Sequence, residues 1–204
     1  MKKMSKMMMS FQNLLPMDGE AYYEAGMIEP AHSQRLMDTL LNEVPWQHDE
    51  IMMFGKRVVM ARKVAWYADE GLSYTYSAVK KKPLAWTPVL RDLKSSIEER
   101  TSEKFNASLL NLYHHGMEGM GWHSDNEKSL VSESAIASIS LGADRPFRFR
   151  HKASGEAVNV MLGSGSLLIM KGATQRCWKH MLPKTKKVSL PRVNLTFRLM
   201  CRHQ

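Results

Sequence analysis

His123-Ser-Asp125 is followed, 55 residues after Asp125, by His180 and then by the run Arg192-Val-Asn194-Leu-Thr196-Phe-Arg198. Two imidazoles and one carboxylate suit a metal that must keep coordination positions open for reactants, which is the donor set of a non-haem Fe(II) site. Alternate side chains of a strand share a face, so a strand through 123–125 lets His123 and Asp125 point at one ion. His180 then comes from a distant strand brought alongside. A bare His-x-Asp arises often by chance; the residues that follow it here are less ordinary.

Alternation from Arg192 places Arg192, Asn194, Thr196 and Arg198 on one face of a strand and Val193, Leu195, Phe197 and Leu199 on the other. Two readings fit this pattern. The strand is an outer strand of a sandwich with its polar side in water, or its polar side lines a pocket and grips a dicarboxylate, since guanidinium forks match carboxylates bidentately. Asn111 and Tyr113 also share a face, and suit either a buried Asn–Tyr hydrogen bond or the same pocket. His114 and His115 are adjacent, so in a strand they point to opposite faces and make a poor ligand pair.

The elements that must position these groups are legible upstream and between them. Leu36, Met37, Leu40, Leu41 and Val44 recur at helical spacing after Pro30, and Val89, Leu90, Leu93 and Ile97 do so after Thr87-Pro88. From Ala107 the pattern is strand-like in short runs over 107–113, 135–142, 146–151, 156–162, 165–170, 176–181 and 193–200. Two helices leading into many short strands predict an α+β sandwich with helices packed on one outer face. Residues 1–25 are Met-rich and poorly patterned, and read as a loosely ordered lead-in to a single domain over 26–204.

Composition narrows the class. The chain has 204 residues, 44% of them hydrophobic and 24% charged, which is ordinary for one globular domain with a sizeable core. Its 29 basic and 20 acidic residues give a formal charge of +9. That excess favours a polyanionic partner, nucleic acid first. Cys177 and Cys201 do not make a disulfide framework, so a reducing compartment is expected, cytoplasmic or, in a eukaryote, nuclear. No run is long and apolar enough to span a membrane. A monomer with no membrane partner is expected.

Asn111-Leu-Tyr113, His123-Ser-Asp125, His180 and Pro191-Arg-Val-Asn-Leu-Thr-Phe-Arg198, with Ile136-Ala-Ser-Ile-Ser-Leu-Gly142, Gly165-Ser-Leu-Leu-Ile-Met170 and Ala173-Thr-Gln-Arg-Cys-Trp-Lys-His180, resemble the AlkB family of Fe(II)/2-oxoglutarate dioxygenases. The likeness is greatest to the human AlkB homologues 2 and 3 and covers about Phe54 to Leu199. It implies a double-stranded β-helix (jelly roll), with nucleotide-recognition hairpins over about 50–82 and the jelly-roll core over about 107–200. It also implies Fe(II) on His123, Asp125 and His180, and 2-oxoglutarate and O2 as cosubstrates. The far carboxylate of 2-oxoglutarate would be held by Arg198, with Arg192, Asn194, Thr196, Asn111 and Tyr113 completing the pocket.

The activity so implied is oxidative demethylation of N1-methyladenine and N3-methylcytosine in DNA or RNA, releasing formaldehyde, succinate and CO2, with no side-chain general base. A cationic methylated base prefers an aromatic face and a nearby carboxylate, which Tyr74, Tyr76 and Glu127 offer. Asn126 departs from the human AlkB homologues 2 and 3, which carry an acid there. Phe54-Gly55-Lys56 resembles the finger with which a duplex-acting member fills the gap left by a flipped base. Arg62, with Arg57, Lys63, Lys80, Lys81, Lys82, the run from Arg148 to Lys152, Lys184, Lys186 and Lys187, supplies charge for phosphates. The rivals are a dioxygenase acting on a protein, lipid or small molecule, and a catalytically silent module that binds damaged nucleic acid.

Overall fold

The computed structural model describes residues 12–53, 56–72, 74–76 and 79–202, and both expected helices form where their apolar spacing puts them. Helix α1 spans Pro30–Glu43 and α2 spans Pro88–Thr101, each with proline in its first turn, where a missing N–H costs no hydrogen bond. Thr87 caps α2 by accepting from the Leu90 N–H at 3.3 Å.

The strands are β1 (Glu20–Glu24), β2 (Gln47–Met53), β3 (Lys56–Ala68), β4 (Tyr74–Tyr76), β5 (Val79–Lys81), β6 (Ala107–Tyr113), β7 (Met120–His123) and β8 (Ile136–Gly142), followed by β9 (Arg145–His151), β10 (Ala157–Leu162), β11 (Ser166–Lys171), β12 (Trp178–Leu182) and β13 (Arg192–Arg198). A short helix α3 (Thr174–Cys177) leads into β12. They make a seven-stranded sheet in the order β1-β11-β8-β13-β6-β3-β2, a four-stranded sheet β10-β9-β12-β7, and the small hairpin β4-β5. This is the expected jelly roll with helices on one outer face.

Strand alternation decides which side chains meet. Leu110 and Leu112 of β6, Ile139 and Leu141 of β8, and Val193, Leu195 and Phe197 of β13 share one core cluster with Leu36, Met37 and Leu40 of α1 and Leu90, Leu93 and Ile97 of α2. The helices therefore cover the apolar face of the large sheet. The other face turns toward the small sheet. At one end of that interlayer Ile136, Leu168 and Met170 pack against Phe149, Leu162 and Trp178.

Within the stretch expected to be a loose lead-in, Glu20–Glu24 instead pairs with β11, from Glu20↔Lys171 to Glu24↔Leu167. Five residues are too few to show alternation, and only Ala21 is fully buried. What seats the segment is long-range: Thr174 Oγ1 donates to the Glu20 carbonyl at 2.9 Å, and Trp178 Nε1 to that of Met17 at 3.0 Å. Gly142 ends β8 at φ +85°, with the Pro191 carbonyl oxygen 2.5 Å from where a Cβ would stand, so only glycine fits there.

The loop that launches β7 is pinned by Arg145, which is 1% exposed. Its Nη2 donates to the carbonyls of Gly116 (3.0 Å), Glu118 (2.9 Å) and Pro183 (2.9 Å). Arg145→Met would take this donor from the Glu118 and Pro183 oxygens, while Gly116 would keep the Thr185 N–H at 2.9 Å. We expect a loss of about 2–4 kcal/mol, read as a fall of roughly 5–15 °C in the thermal midpoint; an unchanged midpoint would refute the pinning role.

Candidate active site

Antiparallel register sets His180 of β12 directly opposite His123 of β7, with ring centroids 4.3 Å apart. Asp125 lies two residues beyond the end of β7, its Oδ1 3.7 Å from His123 Nε2. One donor atom from each of His123, Asp125 and His180 falls within 4.8 Å of the others, and this is the one metal-competent cluster among the described residues. The triad read from sequence is thus assembled in space. The strand argument for Asp125 does not hold, however, because the ladder stops at His123.

The protonation states suit a divalent metal. His123 Nδ1 stands 2.8 Å from the Gly121 carbonyl, which can only accept, so Nδ1 is a donor there and Nε2 is the atom turned to the cluster. Burial pushes His180 down to about 3, so it stays neutral. Burial alone would raise Asp125, but Arg198, His180 and His123 together outweigh it and hold the carboxyl well below the usual carboxylate range. His180 Nδ1 is also buried with no hydrogen-bond partner among the described residues. A neutral His180, a second imidazole and an ionised carboxylate, one ring still unsatisfied, fit Fe(II).

This arrangement predicts acid sensitivity of the metal-free fold. The unfolded chain takes up a proton at His180 near the ordinary value of about 6.5, whereas the folded chain does so only near 3. Stability is therefore greatest above about pH 6.5 and falls as pH drops toward 3, by on the order of 2 kcal/mol by pH 5. Urea unfolding across that window should show the slope in the wild type and a flatter limb in His180→Asn. An equal slope in both would refute it.

A cavity of about 640 Å³ opens from the triad. Its walls include Asn111 and Tyr113 from β6, Ser138 from β8, and Arg192, Asn194, Thr196 and Arg198 from β13, so the polar face of β13 lines a pocket. β13 lies between β8 and β6, with Asn194 opposite both Ser140 and Asn111. Its apolar side is already taken by the helices, which leaves the polar side facing inward. The outer-strand reading is excluded.

The two arginines occupy different ends of this wall. Arg198 Nη2 donates to Asp125 Oδ2 at 2.7 Å and so belongs to the metal end. Arg192 lies six residues along the strand, about 20 Å of backbone away. It donates to Ser140 Oγ at 2.9 Å and sits over the Tyr113 ring at 5.6 Å, while its Nε is buried without a partner among the described residues. Burial pushes Arg192 down to about 10, so it remains a cation, and burial raises Tyr113, so its phenol stays a neutral donor. Asn194 Nδ2 donates to Ser138 Oγ at 2.8 Å, and Thr196 Oγ1 to Asn194 Oδ1 at 3.2 Å.

The residues expected at the substrate divide. Glu127 is exposed and lines the cavity mouth with Pro45, Gln47, Trp66, Lys82 and Leu84. Asn126 is exposed and is not part of the cavity wall. Arg62 is 5% exposed and donates through Nε to Asn111 Oδ1 at 3.2 Å, which places it in the inner pocket rather than on a phosphate-facing surface. Tyr74 and Tyr76 belong to the β4–β5 hairpin, Lys56 begins β3, and Phe54 and Gly55 lie outside the described residues.

Several contributors went unread in the sequence. Phe147 stacks on His180 at 5.3 Å, Ser140 and Ser138 steady Arg192 and Asn194, and Gln175 accepts from the Asp125 N–H at 2.9 Å. The serines had a signal, their spacing of two in Ile136-Ala-Ser-Ile-Ser. Gln175 had none, since its partner is 50 residues away.

Comparison with known proteins follows the same lines. Residues 20–198 match the family model described as the 2OG-Fe(II) oxygenase superfamily. Over 183 residues the chain is 40% identical to the Homo sapiens alpha-ketoglutarate-dependent dioxygenase alkB homolog 3, covering 85% of this chain and 63% of that protein. Over 156 residues it is 44% identical to the Homo sapiens DNA oxidative demethylase ALKBH2, covering 72% and 60%. The chain therefore spans somewhat under two thirds of these relatives. A solved structure titled "The structure of OsALKBH1" superimposes with a TM-score of 0.61 at 16% identity, over 91% of this chain and 99% of the other, a likeness of fold.

Proposed function

The chain belongs to the AlkB family of the 2OG-Fe(II) oxygenase superfamily, and from that membership we propose that it is a dioxygenase that oxidatively removes alkyl groups from nucleic-acid bases. The observation that carries this is the His123–Asp125–His180 cluster opening onto a cavity walled by Arg192, Asn194, Thr196 and Arg198. Fe(II) bound there with 2-oxoglutarate and O2 would supply oxidation of an alkyl C–H bond, converting the cosubstrate to succinate and CO2. An N-methyl group so hydroxylated leaves as formaldehyde and restores the amine.

The chain's own groups do the positioning. His123, Asp125 and His180 would hold the metal. Arg198, tied to Asp125, would serve the metal end of the cosubstrate, and Arg192 with Tyr113 would take the far carboxylate. The resemblance implied Arg198 for the far carboxylate with Arg192 completing the pocket; the pairing of Arg198 with Asp125 supports Arg192 in that role instead. Asn111, Asn194 and Thr196 would complete the polar wall, and Phe147, Met120, Met170 and Leu182 would supply its apolar part. Glu127 and Trp66, both in the cavity wall, would meet the cationic edge of N1-methyladenine or N3-methylcytosine.

A phosphate backbone has a surface to meet. Arg148, Arg150 and Lys179 are exposed on the small sheet, where Lys179 lies opposite Arg150. Like charges across a ladder repel, and none of the three is within ion-pair distance of a carboxylate among the described residues. A polyanion would relieve that repulsion.

The test is mass spectrometry of oligonucleotides carrying one N1-methyladenine or N3-methylcytosine, single-stranded and duplex, incubated with protein, Fe(II), 2-oxoglutarate, ascorbate and oxygen. Loss of the methyl mass with wild type and not with His123→Ala is expected. Succinate formed without loss of methyl from any of these strands would move the enzyme to another substrate.

A further inference from the structure

The triad has one weakly supported member. β7 ends at His123, so Ser124 and Asp125 lack the ladder that holds the histidines. Side chains take over there. Ser124 Oγ donates to the Trp178 carbonyl at 2.8 Å, and the Asp125 N–H donates to Gln175 Oε1 at 2.9 Å. The Gln175 oxygen thus stands where a neighbouring strand's carbonyl would have stood. An N–H can only donate, which settles the orientation of the amide: oxygen to Asp125, and Nε2 to Met170 Sδ at 3.6 Å. Met170 ends on the cavity wall, and Gln175 sits in α3, five residues before His180.

We propose that Gln175 is a positioning residue for the metal site, holding the backbone of Asp125 so that its carboxylate faces His123 and His180 while Arg198 holds the other oxygen. Two contacts then orient one carboxylate, the amide of Gln175 on its main chain and Arg198 on Oδ2, which leaves Oδ1, 3.7 Å from His123 Nε2, for a metal. Partners behind a metal ligand of this kind change metal affinity by about 10–100-fold when removed. The inference rests on the proposed metal site, and the experiment separates the two.

Co(II) serves as a spectroscopic substitute for Fe(II) and is titrated into metal-free protein, with visible absorption reporting both Kd and coordination. A wild-type protein that binds no Co(II), with or without 2-oxoglutarate, would overturn the metal site itself. Given wild-type binding, Gln175→Met and Gln175→Asn, which lack an acceptor or cannot reach, are expected to weaken Co(II) by about 10–100-fold and to alter its ligand-field spectrum. Gln175→Glu loses the Met170 contact but keeps an acceptor for the Asp125 N–H, and should bind Co(II) at least as tightly as wild type with a wild-type spectrum. Met and Asn variants that bind within threefold of wild type would overturn the assignment. So would a Glu variant as weak as the Met variant.

Discussion

Asp125→Ala is expected to reduce 2-oxoglutarate turnover to the metal-free background and to destabilise the apoprotein by about 3 kcal/mol. The carboxylate has two roles here. It is the anionic side chain among the three proposed metal ligands, and it is a counter-ion of Arg198, whose Nη2 lies 2.7 Å from Oδ2. Both side chains are largely buried, 8% and 15% exposed, so removing one leaves a charge in a poorly solvated site. Asp125→Asn separates the roles. Its amide oxygen can still accept from Arg198 and should recover part of the stability, yet a neutral ligand should not restore turnover. Succinate formation and urea unfolding, run on the same preparations, read the two effects. Turnover above a tenth of wild type in Asp125→Ala would remove Asp125 from the ligand set.

Arg192→Lys should raise the KM for 2-oxoglutarate by about 10–100-fold with kcat largely retained, corresponding to about 1.5–3 kcal/mol for a charged hydrogen-bonded contact. Lysine keeps the charge and loses the fork. The expectation follows from Arg192 being 2% exposed, held by Ser140 and placed over Tyr113, with no carboxylate of the protein against it among the described residues. Arg198→Lys should behave differently, weakening metal binding and kcat because its partner is Asp125. If instead Arg198→Lys raised KM alone and Arg192→Lys did nothing, the far carboxylate would belong on Arg198, as the family resemblance first suggested.

The proposed assignment of the two arginines turns on tertiary structure. The motif named both arginines, and its alternation put them on one face of β13. Which of them meets the metal depends on where Asp125 comes to rest, and that is set by a loop, not by spacing. Arg62 teaches the same lesson. Its place in a basic run suggested phosphate contact, but β3 pairs with β6, which carries it inward to Asn111.

The sequence by itself determined the donor types, the two helices with their proline starts, most of the strands, and the division of β13 into an apolar and a polar side. These are local: 3.6-residue and two-residue periods, caps and turns need no knowledge of distant chain. Tertiary structure alone decided which way that division points. The helices bury Val193, Leu195 and Phe197, so the interlayer receives Arg192, Asn194, Thr196 and Arg198 and becomes a pocket. It also decided that Glu20–Glu24 joins the sheet, that His123 faces His180, and that Asp125 is held by Gln175 and Arg198. Each of these joins residues 50 or more positions apart, where free energy comes from pairing and burial that no local pattern encodes.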